Sequence, residues 1–292
     1  MRKYLEGFMH ECAYQGDDIS ALLSAYDSLV SSCSSELSTL ISEYDEGYNI
    51  DFESVLSRMK MLSENAGIHE YTGSLLIFLC FTKRLREYYK EKGIADEIFL
   101  ASVLDLRYKL DECKCVYGFV GSFVAKWFSG FFDLTRFALG RLQFELVDFG
   151  SEYDKGGVKL AQNTKVINVH IPRTGTRLDR ESALRSYQLA KEFFAPRLGE
   201  TIAFVCSSWL LFPRHREMLK EGSNLLAFMN DYDLVSSGEY SSYNEVWRLF
   251  DIMYDGDPSH LPADTSLRRA YVDLISRGEK TGWGKGVFIY NQ

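Results

Sequence analysis

Proline is scarce in this chain of 292 residues: there are five, and none precedes Pro172. A proline-free first half lets helices run on, because the ring removes an N–H and clashes with the preceding turn. Cysteine is scarce too. Six residues (Cys12, Cys33, Cys80, Cys113, Cys115, Cys206) without a pair of CxxC motifs argue against a disulfide framework or a zinc ribbon, and free thiols in a reducing compartment are expected. The five histidines (His10, His69, His170, His215, His260) lack ligand spacing, so no metal is expected. No apolar run approaches the ~20 residues of a membrane span, the richest being residues 75–81. The N-terminus meets Glu6, His10 and Glu11 where an export signal needs an apolar stretch. A P-loop, a GxGxxG after a strand, HExxH and GxSxG are all missing. The expectation is a soluble, cytoplasmic protein that engages no membrane.

What is present is ordinary globular composition, 46% hydrophobic and 25% charged, with charge unevenly placed. Residues 1–117 carry 12 Lys and Arg against 20 Asp and Glu, a net of −8, while residues 118–292 carry 21 of each. Within the neutral part, residues 155–191 hold eight basic side chains (Lys155, Lys159, Lys165, Arg173, Arg177, Arg180, Arg185, Lys191) against Asp179 and Glu181. Such a segment either attracts a small polyanion or is a solvated basic face. A nucleic-acid partner is not expected, since the chain as a whole is acidic.

Apolar residues recur at helical period over residues 18–41, 52–62, 69–92 and 94–113, with Asp51 placed to cap the second of these and Gly93 to stop the third. An aromatic-rich stretch, 118–134, reads as a buried helix. From Gly140 the period changes. Residues 142–148 alternate as a half-buried strand, Gly156-Gly157 reads as a hairpin turn, and 165–171 and 201–207 read as further strands. Helices are expected at 179–194, 212–219, 224–229, 243–254 and 266–277, with strands at 232–236 and 286–290. The fold class is α+β: an all-helical domain over residues 1–117, then a mixed α/β domain over 118–292.

Two strands carry polar pairs. Residues at i and i+2 share a face, so Gln143 and Glu145 point together, as do Asn168 and His170, each opposite an apolar set. Either these faces meet solvent or they line a polar cleft in which Glu145 or His170 takes up a proton. After His170, the run Pro172-Arg173-Thr174-Gly175-Thr176-Arg177 joins a strand end to a helix start. There backbone N–H groups, the helix dipole and Arg173, Arg177 and Arg180 suit an anion. Cys206 with His170 is conceivable as a nucleophilic pair, against a buried inert thiol.

Several strings in the second half resemble a bacterial family. These are Gly140-Arg141-Leu142-Gln143-Phe144-Glu145-Leu146, Val166-Ile167-Asn168-Val169-His170-Ile171-Pro172, Ser186-Tyr187 with Ala190 and Phe193-Phe194, Phe204-Val205-Cys206-Ser207-Ser208-Trp209-Leu210-Leu211, and Ser223-Asn224-Leu225-Leu226 with Phe228. That family is the acyltransferase domain-containing proteins, with a helical N-acyltransferase N-terminal domain and a GNAT-like C-terminal domain built on a central twisted sheet. The resemblance implies acyl transfer from acyl-CoA or acetyl-CoA, as co-substrate, to an amine of a small-molecule or peptide acceptor. It assigns backbone groups of Val169 and Ile171 to the pantetheine, and Arg173, Thr174, Gly175, Thr176, Arg177 and Arg180 to the phosphates. Asn224 is placed before the helix that contacts CoA. From the strand faces themselves, Gln143 and Asn168, with Cys206, Ser207 and Trp209 at the end of the next strand, are the candidate lining of the substrate pocket. Glu145 and His170 are the expected catalytic residues. The Gln/Arg-x-x-Gly-x-Gly/Ala phosphate signature of GNAT enzymes is replaced here by Arg173-Thr174-Gly175-Thr176. A module that keeps the fold and binds acyl-CoA or a partner protein without turnover is the alternative.

Overall fold

The computed structural model describes residues 1–198 and 202–290, in two compact units that divide after Ala138. The first unit is helical, as the period implies. It contains α1 (Arg2–Glu11), α2 (Gly16–Glu46), α3 (Phe52–Asn65), α4 (Glu70–Glu91) and α5 (Asp96–Tyr117). Asp51 caps α3 by accepting from the N–H groups of Glu53 and Ser54, and Gly93 takes a left-handed φ of 67° just beyond α4. α2 is longer than its apolar pattern suggests and kinks at Cys33.

The aromatic stretch after residue 117 is not one helix. Gly118 ends α5 in a left-handed conformation, and only a 3₁₀ turn (Ala125–Phe128) and the short α6 (Ser129–Phe132) follow. Its rings pack into the helical unit. Phe128 and Phe132 lie 5.3 and 4.8 Å from Phe78, and the Tyr44 hydroxyl donates to the Phe132 carbonyl at 2.8 Å. These contacts move the division about 20 residues beyond the composition shift at 117.

The second unit is a mixed sheet with helices. Its strands are β1 (Arg136–Leu139), which straddles the division, β2 (Leu142–Asp148), β3 (Tyr153–Lys155), β4 (Val158–Leu160), β5 (Lys165–His170), β6 (Ala203–Ser208), β7 (Asp233–Glu239) and β8 (Gly282–Ile289). Between and after them come α7 (Arg180–Phe194), α8 (His215–Met218), α9 (Asn224–Met229), α10 (Trp247–Phe250) and α11 (Ser266–Ser276). Six strands form one sheet in the order β1-β2-β5-β6-β8-β7, with β5 and β6 parallel and β2/β5, β6/β8 and β7/β8 antiparallel. β3 and β4 form a hairpin on the two-residue turn Gly156-Gly157, both at positive φ as a primed turn requires. The expected strand over 201–207 starts at Ala203; Thr201 lies outside the described residues.

Register sorts the side chains of this sheet into two faces. Phe144, Val169, Phe204, Cys206 and Phe288 share one, beneath α7, where Tyr187 lies 4.8 Å from Phe204 and 5.1 Å from Phe288. The other face carries Val166, Ala203, Val205 and Val287, covered by Phe149 and by Tyr153 and Leu160 of the hairpin. Beyond that apolar patch, the same face carries Gln143, Glu145, Asn168 and His170.

Candidate active site

β2 and β5 run antiparallel with Gln143 opposite His170 and Glu145 opposite Asn168, so the two polar pairs inferred from spacing form a single cluster. His170 Nε2 lies 2.6 Å from Glu145 Oε2, and Asn168 Nδ2 lies 3.3 Å from the same oxygen. A carboxylate only accepts, so both nitrogens donate to it. The 3.2 Å approach of Asn168 Nδ2 to His170 Nε2 is then a contact between two donors that share one acceptor. The His170 and Glu145 side chains are 21% and 16% exposed, which leaves both in reach of a ligand.

The cluster stands at a break in the sheet. β5 and β6 pair only at Ile167↔Phe204 and Asn168↔Val205, although β5 continues to His170 and β6 to Ser208. On their outer sides both strands stay paired, His170 with Gln143 and Ser208 with Gly284. The parallel strands therefore part beyond Asn168 and Val205, each held by its other neighbour. Main-chain groups that face the gap are left to other partners. Asn168 stands on the last closed row and His170 beyond it.

Residues 171–179 leave this opening and lead into α7. The loop is exposed at Arg173, Gly175, Thr176 and Arg177, and Gly175 takes φ 77°. Thr174 Oγ1 lies 2.7 Å from Thr176 Oγ1 and accepts the Thr176 N–H. Two of the arginines are paired with carboxylates from distant segments, Arg173 with Asp251 at 2.5 Å and Arg180 with Asp231 at 2.5 Å. The start of α7 is also less open than the spacing suggests. Asp179 caps it, its carboxylate accepting from the Ser182 N–H, a bond that holds the Asp179 pKa below the ordinary aspartate value. The remaining features of an anion cradle are Arg177, the loop amides and the first N–H groups of α7.

A strand beside a polar cluster, followed by a loop into a helix, is the order of elements the resemblance implied; the parting of β5 from β6 is added by the structure. Two family models match the chain: an N-acyltransferase N-terminal domain over residues 3–134, and a GNAT-like C-terminal domain over residues 136–288. The chain belongs to the GNAT-like C-terminal domain family. Among solved structures it is similar to an acyltransferase in complex with decanoyl-CoA and teicoplanin, with TM-score 0.65 and 24% identity, over 78% of this chain and 68% of that one. It is similar as well to an acyltransferase in complex with decanoyl-CoA, with TM-score 0.71 and 19% identity, over 97% of this chain and 86% of that one. A mutant acyltransferase in complex with octanoyl-CoA matches over the same shares, with TM-score 0.73 and 20% identity. At these identities the likeness is one of fold. No curated protein matches in sequence.

Within the GNAT-like domain, Gln143, Asn168 and Ser207 share the face of Glu145 and His170. Val169 is buried on the opposite face, and Ile171 leads into the loop. Cys206 separates from His170. It lies on the α7 face of β6, is fully buried, and burial pushes its thiol up to about 12. A Cys206–His170 nucleophilic pair does not exist in this fold. Trp209 belongs to another cluster, its ring 6.0 Å from His215 and 6.2 Å from Tyr271. Asn224 is the exposed first residue of α9, whose cap is Ser223. Among the described residues no group of His, Cys, Asp or Glu is placed to hold a metal, and no helix is long and apolar enough to cross a membrane.

Sequence spacing gave no sign of the groups that act on the loop from afar: Arg141, Asp231 and Asp251. It also missed a buried hydroxyl pair under α7, Tyr187 and Tyr232, whose oxygens lie 2.8 Å apart and whose pKa values burial raises well above 10. The position of Tyr232, three residues beyond the end of α9, is its one local signal.

Proposed function

We propose that this protein transfers an acyl group from an acyl-CoA thioester to an amine, with the acyl-pantetheine arm entering the gap between β5 and β6. The observation that carries the reading is the parting of those strands with Glu145, Asn168 and His170 at its edge. A thioester threaded between parallel strands meets unpaired main-chain N–H and C=O groups that orient it and polarise its carbonyl. The amine nitrogen bonds to that carbonyl carbon and loses a proton to the Glu145–His170 pair. The C–S bond then breaks and the CoA sulfur takes a proton, giving an amide and free CoA. In this scheme His170 is the base and Glu145 stabilises the imidazolium, while Asn168 fixes the carboxylate that both contact. The phosphates fall to Arg177 and the loop amides of residues 173–177 other than that of Thr176, which bonds to Thr174.

The relatives of similar fold support the donor, since acyl-CoA of eight or ten carbons is present in their complexes. For the acceptor, the teicoplanin in one of those complexes supports a sizeable amine-bearing small molecule or peptide. The acidic character of residues 1–117 fits a cationic acceptor. The ion pairs on Arg173 and Arg180 favour a second reading, a module that binds acyl-CoA without turnover, because they draw charge away from the phosphates.

Calorimetry with octanoyl-CoA, combined with thiol release over a panel of amines, separates the two. Glu145→Gln and His170→Ala are each expected to lower kcat at least 100-fold while octanoyl-CoA affinity stays within about threefold. Full turnover in both variants removes the catalytic assignment, and binding by the unaltered chain with no turnover on any amine supports the second reading.

A further inference from the structure

The loop after β5 is held from behind by a residue that no phosphate needs to touch. Arg141 follows Gly140 in the turn between β1 and β2, and its own N–H donates to Ser186 Oγ on α7 at 2.7 Å. Gly140 makes this approach possible: it takes φ 73°, and a Cβ there would stand 2.7 Å from the Ser186 oxygen. From that anchor the guanidinium spans the loop, Nη1 donating to the Pro172 carbonyl at 2.9 Å and Nη2 to the Thr176 carbonyl at 3.1 Å.

Pinning those two carbonyls has a stereochemical result. Every described peptide is trans, and in a trans peptide the C=O and N–H point in opposite directions. The N–H groups that share planes with the Pro172 and Thr176 carbonyls belong to Arg173 and Arg177. Both are therefore turned away from Arg141, and neither has a hydrogen-bond partner among the described residues. Gly175, at φ 77°, lets the chain reverse between them. Two such amides, turned to the side of the loop opposite Arg141, are donors available to an anion.

We infer that Arg141 is a positioning residue for the donor: it sets the Arg173 and Arg177 amides toward the phosphates of acyl-CoA without contacting them. The inference rests on the acyl-CoA reading above and adds to it which residue shapes the cradle. Arginine is required because one planar fork reaches two carbonyls about four residues apart in the chain, whereas an ammonium on a single stem holds one geometry less firmly.

The test compares two thioesters, octanoyl-CoA and octanoyl-pantetheine, which differ in the phosphorylated nucleotide alone. Arg141→Lys is expected to raise the Kd for octanoyl-CoA at least tenfold while leaving that for octanoyl-pantetheine and the urea midpoint within about twofold and 0.3 M. Equal weakening of both thioesters would mean a general structural role and would overturn the inference, as would unchanged octanoyl-CoA affinity. Hydrogen exchange of the unaltered chain gives an answer that depends on no variant's folding. Octanoyl-CoA should slow exchange at the Arg173 and Arg177 amides, and exchange that does not change there overturns the positioning role. If the unaltered chain binds octanoyl-pantetheine but not octanoyl-CoA, the cradle is wrong and the thioester gap survives; if it binds neither, the acyl-CoA reading itself fails.

Discussion

Single residues in this protein show how burial decides chemistry. His215 is fully buried, its Nδ1–H donating to the Leu210 carbonyl at 3.2 Å and its Nε2 accepting from the Tyr271 hydroxyl at 2.7 Å. Burial, the largest effect, lowers its pKa to about 4, against the bond to Leu210, which acts the other way. Between about pH 6.5 and pH 4 the unfolded chain takes up a proton at this ring that the folded chain refuses. Stability contributed by His215 is thus complete above about pH 6.5 and is lost as pH falls toward 4, by up to about 3 kcal/mol. Urea midpoints of the unaltered chain and His215→Gln, measured from pH 7.5 to pH 4.5, should converge as pH falls, because glutamine does not titrate. Parallel curves would show that the ring is already charged or already solvated. The polar face that carries His170, by contrast, was legible from spacing alone, because alternation put Asn168 beside it and only one strand face was polar. What spacing left open was whether Glu145 lay on the same face of the same sheet, a matter of strand order and register. The 2.6 Å contact answers it.

At the scale of elements, legibility followed pattern strength. The long helices of the first unit and α7, α9 and α11 fall where the period puts them, because an apolar stripe must be buried and few glycines interrupt it. The last strand was only half visible. β8 begins at Gly282, four residues before the apolar run, because Gly282, Gly284 and Gly286 replace the side chains that would announce a strand. Their purpose is close approach. A Cβ at Gly284 would lie 2.2 Å from the Leu211 carbonyl oxygen, and one at Gly286 2.7 Å from Tyr232 Cβ. β8 is thereby bare on the face against which the turn after β6 and Tyr232 press. Gly284→Ala is expected to cost about 3 kcal/mol, since backbone rather than a flexible tip must yield. Gly150→Ala, where a Cβ meets nothing within 4 Å, should stay within about 0.5 kcal/mol. Equal urea midpoints for the two variants would refute the close-packing account. Helices expected over 212–219 and 243–254 shrink to α8 and α10, four residues each. Their apolar residues reach a shared cluster with α11 through irregular chain, so the periodicity was right about burial and wrong about conformation.

Across the whole molecule, charge is where the one-dimensional record misleads most. Residues 155–191 carry a net of +6 in sequence, a plausible polyanion attractor. Folding brings carboxylates from outside that segment onto five of the eight basic side chains: Asp233 on Lys155, Asp154 on Lys159, Asp148 on Lys165, Asp251 on Arg173 and Asp231 on Arg180. Most of the basic stretch becomes a set of ion pairs, so its net charge in sequence overstates what it offers an anion. Divided where the structure divides, residues 1–138 carry 14 Lys and Arg against 21 Asp and Glu, and residues 139–292 carry 19 against 20, so the acidic excess stays with the helical unit. Donor binding should then depend only weakly on salt.

Asp231 is the place to test this balance. Its side chain is almost wholly buried, one oxygen holds Arg180, and the guanidinium it neutralises is half exposed at the first residue of α7. Asp231→Asn keeps the shape and removes the counter-charge. The freed arginine then lies within a turn of the loop that Arg141 shapes. Octanoyl-CoA affinity should rise about threefold to tenfold at 50 mM NaCl, and most of that gain should vanish at 500 mM as the exposed charge is screened. A gain that persists at high salt would point to a packing change instead, and no gain at all would mean that Arg180 does not face the phosphates. If the gain is seen, the ion pair limits donor affinity, as suits an acyltransferase of the proposed kind, which must release free CoA after every turnover.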